Sequence, residues 1–206
     1  MIIVSDTSAI NNLAAINHLS LLYEFYGSVL IPEAVYRELT DPDFPVAGAH
    51  EVQTLDWIQT RMVSDRSLVE ALSNELDIGE AEAIALAVET QAKQVLIDER
   101  RGRLVAKRLD LNCIGILGIL VEAKYKGLIP EVKPLLNRLM NEVGFWVSEP
   151  LYQVHWSGQR GGIIPIPQLS RSSDRRQGLK SEAELWFIEL DRLYSSTEGG
   201  FTPNYR

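Results

Sequence analysis

Cysteine is almost missing from this chain of 206 residues: Cys113 stands alone. A lone thiol has no partner for an intrachain disulfide, and it points to a reducing compartment. No apolar run approaches the roughly 20 residues that cross a bilayer as a helix. No basic stretch precedes the apolar start, so the chain reads without a membrane span or a signal peptide, and the expected location is the cytoplasm. His18, His50 and His155 are scattered, which speaks for surface or packing roles and against ligation of zinc. Positive charge is not in excess either: 20 Lys and Arg face 28 Asp and Glu, a net charge of −8. That balance opposes tight non-specific binding to nucleic acid. It does not exclude an enzyme that acts on nucleic acid, because carboxylates gathered around a divalent cation lower the net charge while the cation restores the local sign. No internal repeat is found.

Apolar residues make up 46% of the chain and charged residues 23%, an ordinary globular balance, and the length suffices for one domain with a substantial core plus an appendage. The acidic excess is unevenly placed. Residues 1–149 carry 13 Lys and Arg against 22 Asp and Glu, whereas residues 150–206 carry 7 against 6. The second stretch is also rich in Gly and Pro (Gly158, Gly161, Gly162, Pro165, Pro167), with a Ser/Arg-rich run from Ser170 to Arg176. It reads as an irregular C-terminal extension with one helix expected over 181–194.

The first part begins with Ile2-Ile3-Val4, which ends on Ser5-Asp6-Thr7-Ser8. A short unbroken apolar run of this kind reads as a strand buried on both faces. Ser28–Ile31 and Gln94–Ile97 repeat the pattern, the latter ending on Asp98-Glu99, and Leu111–Ile114 makes a fourth strand. Trp57–Val63 reads as a strand or an extended connection, and Phe145–Val147 as a last short strand. Helices are expected over Ile10–Tyr26, with Ser8 as a candidate cap, and over Pro32–Leu39, Ala49–Leu55, Ser67–Leu76, Glu80–Glu89, Arg100–Leu109, 115–126 and Pro130–Asn141. Strands alternating with helices imply an α/β fold: a three-layer α/β/α sandwich on a central parallel sheet of four to five strands.

Acids recur at comparable places. Asp6 and Asp98 follow strands, Glu38 lies on the helix after the second strand, and Glu80 and Glu82 open an alanine-rich helix. In such sheets ligands sit beyond the carboxyl ends of the strands. Carboxylates that converge there stay ionised together only if a cation neutralises them. An all-oxygen set fits Mg²⁺ or Mn²⁺. The use of such a cage is metal-assisted phosphodiester hydrolysis. Plainer readings stand beside this one. Asp6 or Ser8 serves as an N-cap, and first-turn acids suit a helix dipole. The run Arg100, Arg101, Arg103, Lys107, Arg108 is either a contact for an RNA backbone or a solvated helix face. The four tryptophans and Cys113 read as packing residues. The apolar faces of 119–125 and 132–139 read as core or as a partner surface.

Five segments, VSDTSAI (4–10), IPEAVYREL (31–39), LDIGEAEAIALA (76–87), VLIDERRGRLVAKRLDL (95–111) and GILGILVEAKYKGLI (115–129), resemble in order and spacing the PIN-domain ribonucleases. The likeness is greater to the VapC-like branch with its GExEAIALA helix, and it covers about residues 1–148. The resemblance implies a PIN-like domain over 1–149 and a metal-dependent endoribonuclease that prefers single strands. Such a protein is often the toxin of a toxin–antitoxin pair and often a homodimer, so RNA and a small antitoxin are the implied partners. It carries Asp6, Glu38 and Glu80 over as metal ligands, and Asp98 as the fourth acid, which holds a second ion or the attacking water. Glu82 rivals Glu80, and Glu99 rivals Asp98. Two residues apart on a helix point about 160° to 200° apart, so only one of Glu80 and Glu82 faces the site, and Glu80 fits the family pattern better. Thr7, Ser8, Arg100 and Arg101 are the candidate substrate contacts. The chain departs from the branch at Ile116, where a hydroxyl residue is common, and in its C-terminal extension. The alternative reading is a catalytically inactive PIN-like module that binds a protein or an RNA.

Overall fold

The short apolar runs pair with one another because each is flanked by a helix long enough to carry the chain back across the sheet. In the computed structural model, which describes residues 2–147 and Tyr152, the strands are β1 (Ile3–Ser5), β2 (Val29–Pro32), β3 (Ile58–Arg61), β4 (Gln94–Leu96) and β5 (Cys113–Ile114). All neighbours pair in parallel, in the order β3-β2-β1-β4-β5. The helices are α1 (Thr7–Ala15), α2 (Ser20–Tyr26), α3 (Glu33–Leu39), α4 (Ala49–Thr54), α5 (Arg66–Leu72), α6 (Ile78–Glu89), α7 (Arg100–Arg108), α8 (Ile116–Tyr125) and α9 (Lys133–Arg138), followed by a π-helical turn at Leu139–Val143.

Strand alternation divides the interior in two. Ile3, Val29, Ile31, Leu96 and Ile114 face a core shared with α1, α2, α8 and α9. Val4, Leu30, Val95 and Ile97 face one shared with α5, α6 and α7. This is the three-layer α/β/α sandwich. Burying each such side chain stabilises the fold by about 1.5–3 kcal/mol. The order of strands also makes a switch point. From β1 the chain moves outward through β2 to β3, then returns to the other side of β1 as β4. The crevice beyond the carboxyl ends of β1 and β4 is where this topology places a ligand.

Several elements differ from the sequence reading. The single helix expected over Ile10–Tyr26 is two, because Asn17 takes a left-handed conformation (φ 59°) and turns the chain. Asp6, not Ser8, caps α1, accepting from the Ala9 N–H at 3.0 Å. Trp57–Val63 supplies a true edge strand, β3. Phe145–Val147 is not a strand: the Phe145 N–H bonds to the Leu139 carbonyl and closes the π-helical turn. The helix expected over Pro130–Asn141 is the shorter α9. Helix α6 begins two residues earlier than expected, capped by Asp77. The rest of the extension at 150–206, with the helix at 181–194, His155, Trp156 and Trp186, lies outside the described residues. Tyr152 donates to Asn137 Oδ1 at 3.2 Å. Among the described residues no helix is long and apolar enough to cross a membrane.

Candidate active site

Each acid reaches the crevice from a different element. Asp6 follows β1 as the buried cap of α1, with its backbone N–H on the Leu96 carbonyl of β4 at 3.1 Å. Its two oxygens accept from Ala9 N and from Ser8 Oγ (2.9 Å). Glu38 stands exposed on the last turn of α3 and accepts from Thr7 Oγ1 at 2.6 Å. Glu80 sits in the first turn of α6, only 5% exposed. Asp98 follows β4, with Oδ1 held by the Ile116 N–H at 2.9 Å. Glu80 Oε1 and Asp98 Oδ2 are buried without a hydrogen-bond partner among the described residues.

Three glycines make room for these side chains. A Cβ at Gly102 would overlap Glu80 Oε1, and one at Gly115 would lie 2.6 Å from Asp98 Oδ1. One at Gly79 would lie 3.1 Å from Glu38 Oε2 and 3.4 Å from both Asp77 Oδ1 and Thr7 Oγ1. Glu38, Asp77 and Thr7 therefore meet over the start of α6.

The charges repel across this space. Burial, then neighbouring Glu99, Asp77 and Asp6, push the Glu80 carboxyl up to about 9, with Arg101 opposing. Asp98 rises to about 6 through burial, held down by the Ile116 N–H and by Arg103. Burial, Asp77, Asp98 and Glu38 bring Glu99 to about 7. Asp6 is raised well above the usual carboxylate range by burial, against its Ala9 hydrogen bond, with Asp98 and Asp77 adding to the shift. Glu38 is raised by partial loss of hydration, against the Thr7 bond, with Asp77 adding. The acids thus form one electrostatic group.

Glu82 does not belong to it. It turns to the other side of α6, where it accepts from the Ala34 N–H (3.0 Å) and pairs with Arg66 Nη1 (2.6 Å). There it ties α6 to the starts of α3 and α5.

A family model for the PIN domain matches residues 2–157. The chain belongs to the PIN-domain family. No curated protein and no solved structure matches it. The nuclease-type PIN fold accounts for acids gathered at the β1/β4 crevice. The donor chemistry suits the divalent ion that the fold implies: every group is a carboxylate, two buried oxygens have no partner among the described residues, and a cation would relieve the repulsion that protons otherwise relieve. Among the described residues, however, no three His, Cys, Asp or Glu side chains stand close enough together to hold an ion as they lie.

The remaining PIN-domain candidates divide. Thr7 and Ser8 have their hydroxyls on Glu38 and Asp6. Arg101 is exposed beside Glu80, and Arg100 Nε is buried without a hydrogen-bond partner among the described residues. The basic run is not one face. Arg103 is 6% exposed, with Nη1 on the Ile97 carbonyl at 3.0 Å, and Arg108 pairs with Glu75 at 2.9 Å. Sequence reasoning did not include Asp77 in the site. Its signal was the Asp-x-x-Glu spacing of a helix cap, which the bond from the Glu80 N–H to Asp77 Oδ1 (2.8 Å) realises.

Proposed function

We propose that this PIN-domain protein is a metal-dependent endoribonuclease that hydrolyses phosphodiester bonds in single-stranded RNA. What supports the reading is that Asp6 and Glu80, both buried, Asp98, with its Oδ2 buried, and the exposed Glu38 come from four separate elements near the switch point of the sheet, each raised above the usual carboxylate range by loss of hydration, with neighbouring acids adding to the shift of Asp6, Glu38 and Glu80. These four would hold Mg²⁺ or Mn²⁺, with Asp77 and Glu99 deepening the field. When bound, the ion supplies Lewis-acid polarisation of a phosphate oxygen and activation of water. The chain's own groups do the positioning. Ser8 and the Ala9 N–H fix the Asp6 carboxylate, Thr7 fixes Glu38, and the Ile116 N–H fixes Asp98. Arg100 and Arg101, next in chain to the acids of β4, flank an RNA backbone at the rim. The reading extends to a toxin restrained by a small antitoxin and to a homodimer. A stable complex with the product of a small adjacent reading frame supports it.

Asp6→Asn is the decisive variant, because asparagine caps a helix as well as aspartate does. The fold survives and Mg²⁺-stimulated cleavage of single-stranded RNA disappears; full activity refutes the assignment. A second reading, an inactive PIN-like binding module, draws on the absence, among the described residues, of any three acids already closed on one point. Calorimetric titration with Mn²⁺ separates the two: the nuclease gives binding heat at millimolar ion, and the inactive module gives none.

A further inference from the structure

Phe44 presents an aromatic ring to solvent at the carboxyl end of the sheet. It is 64% exposed and makes no ring contact among the described residues. Tyr23 and Tyr125 are exposed too, but α2 ends just before β2 starts and α8 runs back from the end of β5, so both lie at the amino end of the strands. Two bonds to α1 place the loop that carries Phe44. Thr7 and Asn11 stand one turn, about 6 Å, apart on one face of α1. Thr7 Oγ1 donates to Glu38 at 2.6 Å, and Asn11 Oδ1 accepts from the Ala47 N–H at 3.1 Å. The loop therefore leaves α3 beside Glu38 and is anchored one turn along α1. Six residues separate Phe44 from Glu38, so their Cα atoms lie within about 20 Å, a span of a few nucleotides.

The loop is held at both ends. Thr40 closes α3 with its N–H and its hydroxyl both on the Tyr36 carbonyl. Asp41 Oδ1 accepts from the Asp43 N–H at 2.9 Å, and the Asp41 carbonyl accepts from the Phe44 N–H at 3.3 Å. Pro42 and Pro45 fix φ within this turn. Val46 packs against the core, and a Cβ at Gly48 would stand 2.9 Å from Ile10 Cγ2, so the exit is tight. A ring already held by a fixed turn loses little freedom when a planar group stacks on it. Asp41 and Asp43 beside it disfavour a phosphate at this spot. The uncharged face of a base suits it.

We propose that Phe44 is a stacking platform for one unpaired base of the RNA, on the α3 side of the acids, opposite Arg100 and Arg101 on the α7 side. This rests on the RNA reading above and adds a reason for single strands: a paired base keeps its faces in its own stack and cannot take this place.

The test follows cleavage by the full chain in Mg²⁺ of single-stranded RNA that carries one abasic nucleotide, moved along the strand, with kcat/KM read for each bond. In the wild-type chain the missing base lowers kcat/KM about tenfold for bonds at one fixed offset from it. Phe44→Leu lowers kcat/KM on intact RNA about tenfold, and the missing base then costs nothing more, the coupling expected of two groups in contact. Phe44→Trp restores both the rate and the sensitivity to the missing base. The salt dependence is the same in all three chains, because no phosphate contact is lost. Phe44→Leu as active as the wild-type chain overturns the proposal, as does an abasic penalty that survives in Phe44→Leu, or Phe44→Trp as weak as Phe44→Leu. Unchanged cleavage together with a weakened complex with the product of a small adjacent reading frame also overturns it, and assigns the ring to a protein contact. A wild-type chain that cleaves no RNA removes the RNA reading itself, a result seen before residue 44 is touched.

Discussion

Glu80 and Glu82 are chemically identical, lie two residues apart on α6 and are both buried, yet their surroundings are opposite. Glu82 has an arginine and a backbone N–H. Glu80 has a partnerless oxygen and acids around it. Their neutral variants should therefore move stability in opposite directions. At pH 8 without metal, Glu80 must take up a proton to fold, because its carboxyl is pushed up to about 9, and Glu80→Gln removes that cost and raises stability by about 1–2 kcal/mol, a few degrees in Tm. Glu82→Gln loses charge-assisted bonds, partly screened because Arg66 reaches water, and lowers stability by about 1–2 kcal/mol. Thermal melts of the two variants, taken at the same pH and in EDTA, read the difference. Shifts of the same sign would contradict the division of roles.

At the scale of elements, the site depends on glycines where a helix or a turn approaches a carboxylate. Gly102 lies inside α7, where alanine is ordinarily the better helix former by about 1 kcal/mol. Here the added methyl runs into Glu80 and, at 2.9 Å, into Ile97 Cγ2. Glu80 is the flexible neighbour and gives way first. Gly102→Ala should therefore leave the helical circular dichroism intact and weaken Mn²⁺ affinity at least tenfold in calorimetry. The same logic applies before α8, where Gly115→Ala pushes Asp98 off the Ile116 N–H. Unchanged ion affinity in both variants would mean that the acids need no such room.

For the whole molecule, the raised carboxyls couple stability to pH and to metal. A carboxyl with a folded pKa above its unfolded value binds a proton in the native state that the unfolded chain has released. Stability is then complete below the unfolded value of about 4.5 and falls as pH rises towards the folded value. With Asp98 near 6, Glu99 near 7 and Glu80 near 9, the loss runs from about pH 4.5 to 9. Each pH unit costs about 1.4 kcal/mol per extra bound proton, or about 3–5 °C in a chain of this size. Metal-free protein should melt progressively lower from pH 5 to pH 8.5. Added Mg²⁺ should recover several degrees at pH 8 and little at pH 5, where protons compete for the same oxygens. A melting temperature flat across that range in EDTA would show that the acids do not share one buried field.

Much of this molecule was legible without coordinates. The apolar runs ending on acids identify strands β1 and β4, because strand periodicity and the placement of a carboxylate after it are local properties of the chain. The alanine-rich run from Ala81 to Ala87 reads as a buried helix for the same reason, and the spacing of Glu80 and Glu82 already separates their directions. Which of the two faces the crevice, that Asp77 joins the acids, that Arg103 turns inward to the Ile97 carbonyl instead of outward to solvent, and that Gly79, Gly102 and Gly115 are spaces for carboxylates were decided only when distant segments packed. Helix and strand follow from neighbours along the chain, but a charge takes its character from neighbours in space, and the order β3-β2-β1-β4-β5 supplies those.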